Sequence, residues 1–317
     1  MESLKHGYFI GIDLGGTKLA VGRILPNGVL DSFEKVPTEG RRGPEHVTGQ
    51  ILQLTRRLIS DSKDLLGIGI GVPGSVDWKT GVITRLTNLA GWKNFPLKKV
   101  IEEYFQVPVF IENDANAAAW GEFYCGSGQC CRSIVYLTVS TGIGAGIIVD
   151  GKLVRGQTGN AGEVGHMILK ADGPLCRCGN HGCWEALSSG TAIASRAEEL
   201  VAKGQKSLLA NVAELQKLKA EHVFAAYRQG DEIAKLVLDE ALDYLGIGVA
   251  NLVNIINPDL VVLGGGVAKA GSMVFNAVRT KVQKLGYAQS KLTEIVPAKL
   301  GDQAGVIGAA LLVKEYF

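Results

Sequence analysis

Residues Phe9 to Leu30 read FIGIDLGGTKLAVGRILPNGVL. An apolar run leads into a turn holding Asp13, Gly15 and Gly16; a second apolar run follows and ends at Asn27-Gly28. Asn-Gly between apolar runs signals a hairpin, because both central residues of a type I′ turn need positive φ. The same pattern returns at Val135 to Val154, VYLTVSTGIGAGIIVDGKLV, with Asp150-Gly151 closing it. Each copy predicts a three-stranded antiparallel meander whose first turn offers backbone N–H groups and small side chains to a phosphate. Either copy alone is compatible with an ordinary glycine-rich hairpin; two in matching context point to one unit used twice. The glycine turn leads into another strand-like run and not a helix, which argues against a Rossmann fingerprint, and no Gly-x-x-x-x-Gly-Lys-Ser/Thr P-loop occurs.

Downstream of each copy, helix-like and strand-like text alternates. Gln50 to Ser60 is amphipathic, Leu66 to Val72 is a short β-type run ending at Pro73-Gly74, and Pro96 to Tyr104 reads as helix. Val107 to Ile111 predicts a strand and Ala115 to Phe123 a helix. In the second half Thr191 to Ala202, Val212 to Leu218 and Glu232 to Ile256 predict helices, and Leu260 to Leu263 a buried strand closing on Gly264-Gly265-Gly266. Such alternation indicates α/β layering with helices on both faces of a sheet.

The chain of 317 residues is long enough for two domains, and 46% hydrophobic with 20% charged residues is a globular composition. A net charge of +2 gives no reason to expect nucleic acid or an anionic membrane as partner. No apolar run reaches the roughly 20 residues of a membrane span. Met1 to Tyr8 carries Lys5 as its one lysine or arginine and lacks the features of a signal peptide, so a cytoplasmic protein is expected. Of six cysteines, Cys125, Cys130 and Cys131 are scattered and match no ligand pattern, whereas Cys176, Cys178 and Cys183 fall within eight residues. In a cytosolic chain so tight a cluster reads as metal ligation and not as disulfides.

Four motifs occur in order: Asp13-Leu14-Gly15-Gly16-Thr17-Lys18, Glu112-Asn113-Asp114-Ala115-Asn116-Ala117, Gly162-Glu163-Val164-Gly165-His166, and the run Cys176 to Glu185, CRCGNHGCWE. Together with the duplicated meander they resemble the ROK family (repressors, open reading frames, kinases), and within it the bacterial glucokinases, from about residue 8 to the C-terminus. The resemblance implies an α/β chain with the actin-like ATPase (ribonuclease H-like) fold, two similar domains around a cleft. The small domain is expected at 1–117 plus about 304–317, with the first phosphate hairpin and the catalytic aspartate; the large one is expected at 118–303, with the second hairpin, a zinc site and the adenosine pocket.

It also implies roles. Gly15, Gly16, Thr17 and Lys18 form the first phosphate hairpin with Asp13 near Mg²⁺; Thr141, Gly142 and Gly144 form the second, and Gly265 and Gly266 border the adenosine. For Gly264 to Gly266 a tight strand-to-helix turn is the competing reading. Asp114, between a strand and a helix, sits where α/β sheets gather ligands and could accept a hydroxyl proton, or could simply N-cap the helix; the motif match favours the base. Asn113, Glu163 and Glu185 are expected to hold sugar hydroxyls, and Gly74 and Asn88 to lie in loops at the mouth of the sugar pocket, with Thr87 where many relatives carry proline. Trp92 is either a sugar contact or core. His166 with Cys176, Cys178 and Cys183 makes a Cys₃His set suited to structural Zn²⁺ with no open position; His181 competes as a ligand, and buried thiols without metal are the alternative. In the family the histidine also contacts sugar, so zinc removal is expected to impair sugar binding more than nucleotide binding.

The expectation is therefore an ATP-dependent, Mg²⁺-using hexokinase that phosphorylates the 6-hydroxyl of glucose, acting as a homodimer. N-acetylglucosamine, N-acetylmannosamine or fructose as substrate, and polyphosphate as donor, stay open. A sugar-sensing repressor is the reading from another class. Such relatives carry a helix-turn-helix ahead of the first hairpin, where only about eight residues stand here, and charge is nearly balanced.

Overall fold

The computed structural model describes residues 7–86 and 89–314; Asn88 and Thr87 lie outside the described residues. The chain is a mixed α/β protein in which one strand order is used twice. Tyr8–Leu14 (β1), Lys18–Ile24 (β2) and Leu30–Pro37 (β3) form the first meander. Leu65–Val72 (β4) then pairs parallel with β1, and Val109–Asn113 (β8) parallel with β4, giving the order β3-β2-β1-β4-β8. Ile134–Val139 (β9), Ile143–Val149 (β10) and Lys152–Leu153 (β11) repeat the meander. Leu260–Gly264 (β12) and Glu294–Pro297 (β13) extend it in parallel, giving β11-β10-β9-β12-β13. This duplicated arrangement is that of the actin-like ATPase fold. A third sheet of Gly74–Asp77 (β5), Val82–Leu86 (β6) and Lys93–Phe95 (β7) fills the connection after β4.

The helices are Pro44–Leu58 (α1), Leu97–Phe105 (α2), Asp114–Cys125 (α3), Trp184–Ser188 (α4), Gly190–Ala202 (α5), Leu209–Leu215 (α6), Ala220–Arg228 (α7), Glu232–Ile256 (α8), Ser272–Leu285 (α9) and Ala304–Lys314 (α10). Helix α8 has the bounds expected from sequence: the Asp231 side chain accepts from Ala234 N, and Asn257 leaves the helix at φ 48°. Strand β8 begins two residues later than expected: Pro108 has no N–H to donate, and only its carbonyl reaches the sheet, accepting from Ile68 N at 2.9 Å. It runs on through Asn113, which pairs with Val72. Helix α6 ends at extended Gln216, so it begins and ends three residues before the expected Val212 to Leu218.

By contacts the chain falls into two compact units. One comprises Met1–Cys131, Gly146–Gly162 and Lys299–Phe317; the other comprises Arg132–Ala145 and Glu163–Ala298. The sequence reading drew its boundary after Ala117, inside α3; the compact division comes after Cys131. In the first unit α10 lies on the sheet so closely that a Cβ on Gly11 would overlap Val306 O and one on Gly69 would overlap Ala309 O. Ten residues of α10 are buried, so this helix is apolar all round.

One of the two hairpin ends differs from the expectation. Asp150 (φ 49°) and Gly151 (φ 75°) both take left-handed backbone, as a type I′ turn demands. At the first meander only Gly28 does, at φ 86°. Gly28 N donates to Leu25 O at 2.8 Å, and Leu25 N to Val29 O at 2.9 Å. The connection is therefore a three-residue loop, Pro26-Asn27-Gly28, with Pro26 holding the first turn position and Gly28 the left-handed one.

Candidate functional site

In the first unit the carboxyl ends of three parallel strands share one edge. The register sets Asp13 opposite Gly71, and Gly71 opposite Glu112. The residues that follow, Gly15 to Lys18, Gly74, and Asn113-Asp114, all emerge there, the edge at which α/β sheets bind ligands. The glycine turn after β1 is closed by Gly15 N donating to Lys18 O at 2.9 Å. Thr38, just past β3, holds it from the side: its hydroxyl donates to Gly15 O at 2.8 Å and its N–H to Thr17 O at 2.9 Å. Gly15 and Gly16 are half-buried, Thr17 and Lys18 exposed. Beside them Asp13 is half-buried, and burial, with the neighbouring charge of Asp302, pushes its carboxyl up to about 6 against the pull of Lys35. A divalent cation at this carboxylate would reverse that shift, so the residue fits a Mg²⁺ ligand.

Asp114 is the first residue of α3, and the cap is its neighbour. Asn113 Oδ1 accepts from Ala115 N at 2.9 Å and Asn116 N at 3.2 Å. Asp114 Oδ1 accepts from the adjacent Ala115 N, at 2.8 Å. The N-cap reading of Asp114 is thereby corrected: strand β8 runs two residues further than expected and delivers Asn113 to the cap position. The same bonds occupy the Asn113 carbonyl oxygen, while its Nδ2 lies 3.5 Å from Gly74 O.

Beneath this turn lies a network that sequence reasoning missed. Glu112 is buried; Oε1 accepts from Asn113 N at 2.9 Å and from Asn116 Nδ2 at 3.0 Å. Its other oxygen pairs with Arg155 Nε at 2.7 Å, and the Arg155 guanidinium lies 4.9 Å from the Trp78 ring centroid. Breaking a buried pair of this kind costs about 3–5 kcal/mol. Nothing near Arg155 in the sequence signals a partner 43 residues away.

In the second unit the Ser140–Gly142 turn is closed by Ser140 N donating to Gly142 O at 2.9 Å. Gly190 N donates to Ser140 O at 2.7 Å, and the Thr191 hydroxyl to Thr141 O at 2.8 Å. Glu185, half-buried in α4, accepts from Ile143 N at 2.9 Å. Gly144 follows in β10. Gly265, at φ 87°, packs where a Cβ would overlap the Val139 backbone, and Val267 N donates to Val139 O at 2.9 Å. Gly266 is less confined, its nearest neighbour for a Cβ being Ser140 Oγ at 3.6 Å.

The four-residue set His166, Cys176, Cys178 and Cys183 converges: all its ligand atoms lie within 4.8 Å of one another. Cys178 Sγ and Cys183 Sγ are 3.6 Å apart, and Cys176 Sγ is 3.8 Å from His166 Nδ1. A tetrahedral Zn–S site has edges of about 3.8 Å, so the set fits that metal. Burial and the neighbouring sulfurs push the Cys183 thiol up to about 12, which a cation would overcome. The other ring nitrogen, Nε2, lies 4.0 Å from Glu163 Oε2. His181 is not part of the set; its Nδ1 sits 3.1 Å from Gly173 O. Trp92 is core: it is 2% exposed, in the same buried cluster as Val47, Leu89 and Leu97, with Phe95 edge-on at 5.1 Å. No described helix is long and apolar enough to cross a membrane.

Comparison with known proteins finds similarity along nearly the whole chain. The ROK family model matches residues 9–316. The chain is 37% identical to a glucokinase of Thermotoga maritima over 96% of this chain and 97% of that one. A crystal structure of a ROK family glucokinase from Streptomyces griseus, in complex with glucose and AMPPNP, superposes with a TM-score of 0.82 at 35% identity. It covers 98% of this chain and all of that one. A xylose repressor of Caldicellulosiruptor bescii is 34% identical over 97% of this chain and 78% of its own length.

Proposed function

This chain belongs to the ROK family, and we propose that it is an ATP-dependent sugar kinase that phosphorylates the 6-hydroxyl of glucose. The observation that carries the reading is Asp114 at the first turn of α3, with the cap assigned to Asn113 and the turn held from below by Glu112 and Arg155. A carboxylate so fixed can take the proton of the sugar hydroxyl as that oxygen attacks the γ-phosphorus. The bond from phosphorus to the ADP oxygen breaks, and the proton stays on Asp114 until solvent removes it.

Phosphoryl transfer asks for positioning and charge neutralisation. Gly15, Gly16, Thr17 and Lys18 would cradle phosphate in the first unit, and Thr141, Gly142 and Gly144 in the second, with Gly265 and Gly266 against the nucleoside. Mg²⁺ held at Asp13 would supply the counter-charge for the phosphates. Zn²⁺ held by His166, Cys176, Cys178 and Cys183 would be structural, fixing His166 so that Nε2, with Glu163, can meet sugar hydroxyls. Gly74, Asn88, Asn113 and Glu185 complete the proposed sugar contacts. A cytoplasmic homodimer is the proposed state.

The matches to xylose repressors favour a second reading, a sugar-binding module of a regulator. One experiment separates them: ADP release with Mg²⁺–ATP over a panel of glucose, N-acetylglucosamine, N-acetylmannosamine, fructose and xylose. The proposal expects glucose to drive release with the highest kcat/KM. Sugar binding by calorimetry without ADP release from any sugar would leave the regulator.

A further inference from the structure

We infer that Glu185 is a positioning residue for the second glycine hairpin, and that the Cys₃His cluster sets its place. The inference rests on the kinase reading for its meaning, and on geometry within the second unit for its substance. The backbone of one residue, Ile143, is confined on two sides. Its N–H donates to Glu185 Oε2 at 2.9 Å. Its carbonyl lies so close to Gly165 that a Cβ there would overlap it. Gly142, the residue before, has no side chain where Glu185 Oε2 sits, and a Cβ would strike that oxygen. The carboxylate therefore fits into the hairpin and does not merely pass near it.

Both holders are next to proposed metal ligands. Gly165 precedes His166, and Glu185 follows Cys183 by two residues. Trp184 N donates to Met167 O at 2.8 Å, joining the two ligand-bearing segments directly after His166 and Cys183. The Trp184 ring is buried against Gly248 of α8, which fixes the start of α4 and hence the direction of the Glu185 side chain. A metal that ties His166 to Cys183 thus closes a clamp on Ile143. The cluster acts on the phosphate hairpin as well as on the sugar side, so zinc loss weakens nucleotide binding too.

The test compares Glu185→Ala and Glu185→Gln with the parent. It uses calorimetric titration of Mg²⁺–AMPPNP without sugar and hydrogen exchange at the Ile143 amide. Loss of one hydrogen bond to a charged acceptor predicts about a tenfold weaker nucleotide affinity for Glu185→Ala and about tenfold faster exchange. Glu185→Gln keeps a carbonyl oxygen that can accept from Ile143, and both values stay within about twofold of the parent while glucose affinity falls. Chelated parent that remains folded exchanges at Ile143 as Glu185→Ala does. Should Glu185→Ala fail to fold, Gly142→Ala, which pushes the carboxylate away, replaces it. Unchanged exchange at Ile143 in both the variant and the chelated protein overturns the inference. A parent that binds no AMPPNP sinks the kinase reading instead, and the exchange comparison still decides this one.

Discussion

The turn after β1 is held by its own meander, whereas the turn after β9 is held from outside its meander. In the first copy β3 is eight residues long and pairs with β2 from Ile24 to Lys18, so the residue after it, Thr38, arrives beside the glycine turn and fastens Gly15 and Thr17. In the second copy β11 has two residues and pairs only Leu153 with Ile148 and Lys152 with Val149. A strand that short cannot reach back to Ser140–Gly142. Its duty passes to Glu185, Gly190 and Thr191, all of which follow the Cys₃His cluster in the chain. Duplication preserved the strand order and the turn, while the brace moved. Where the brace moved, the second hairpin is inferred to depend on the proposed metal site.

That difference can be broken from either side. The largest effect is expected from the proposed metal ligands. Cys183→Ser should lower the zinc content from one per chain to near zero and reduce Tm on the order of 10 °C. Exchange should accelerate at Ser140 to Ile143 and stay unchanged at Gly15 to Lys18; equal acceleration at both hairpins would contradict the distinction. A smaller effect is expected from the two threonines. Thr38→Val and Thr191→Val each delete one O–H···O=C bond, worth about 1 kcal/mol in chemical denaturation. In double-mutant cycles Thr191→Val should couple to Glu185→Ala by at least about 0.5 kcal/mol, because both hold one turn. Thr38→Val shares no partner with Glu185 and should add within about 0.3 kcal/mol; coupling there would mean the hairpins are not independently braced.

The duplicated meander, the α/β alternation, helix α8 and the cysteine cluster were legible because each rests on local text: apolar runs broken by glycine turns, an aspartate cap at Asp231, thiols a few residues apart. His166 was separated from His181 only by resemblance, and the fold gives the physical reason, since His181 turns toward Gly173 O. The type I′ turn at Asn27-Gly28 was misread although its signal was present, for Pro26 pins the first turn position of a three-residue loop. The cap at α3 was misassigned because a strand's end depends on its partner, and Asn113 stays extended by pairing with Val72. Arg155, Thr38 and Thr191 were out of reach, since each acts on a residue brought near only by sheet register or helix packing. The small sheet β5-β6-β7 was missed because its strands are three to five residues long, too short for alternation to register.

The central claim is that Asp114 is the base of a glucose kinase, and the most direct measurement is steady-state turnover of Asp114→Asn beside the parent. Asparagine keeps the acceptor facing Ala115 N and removes the basicity. The account predicts that the parent converts glucose and ATP to glucose 6-phosphate and ADP, and that the variant loses about 10²–10⁴ in kcat with glucose affinity and Tm close to the parent's. A folded variant that retains most of the parent's kcat would contradict it.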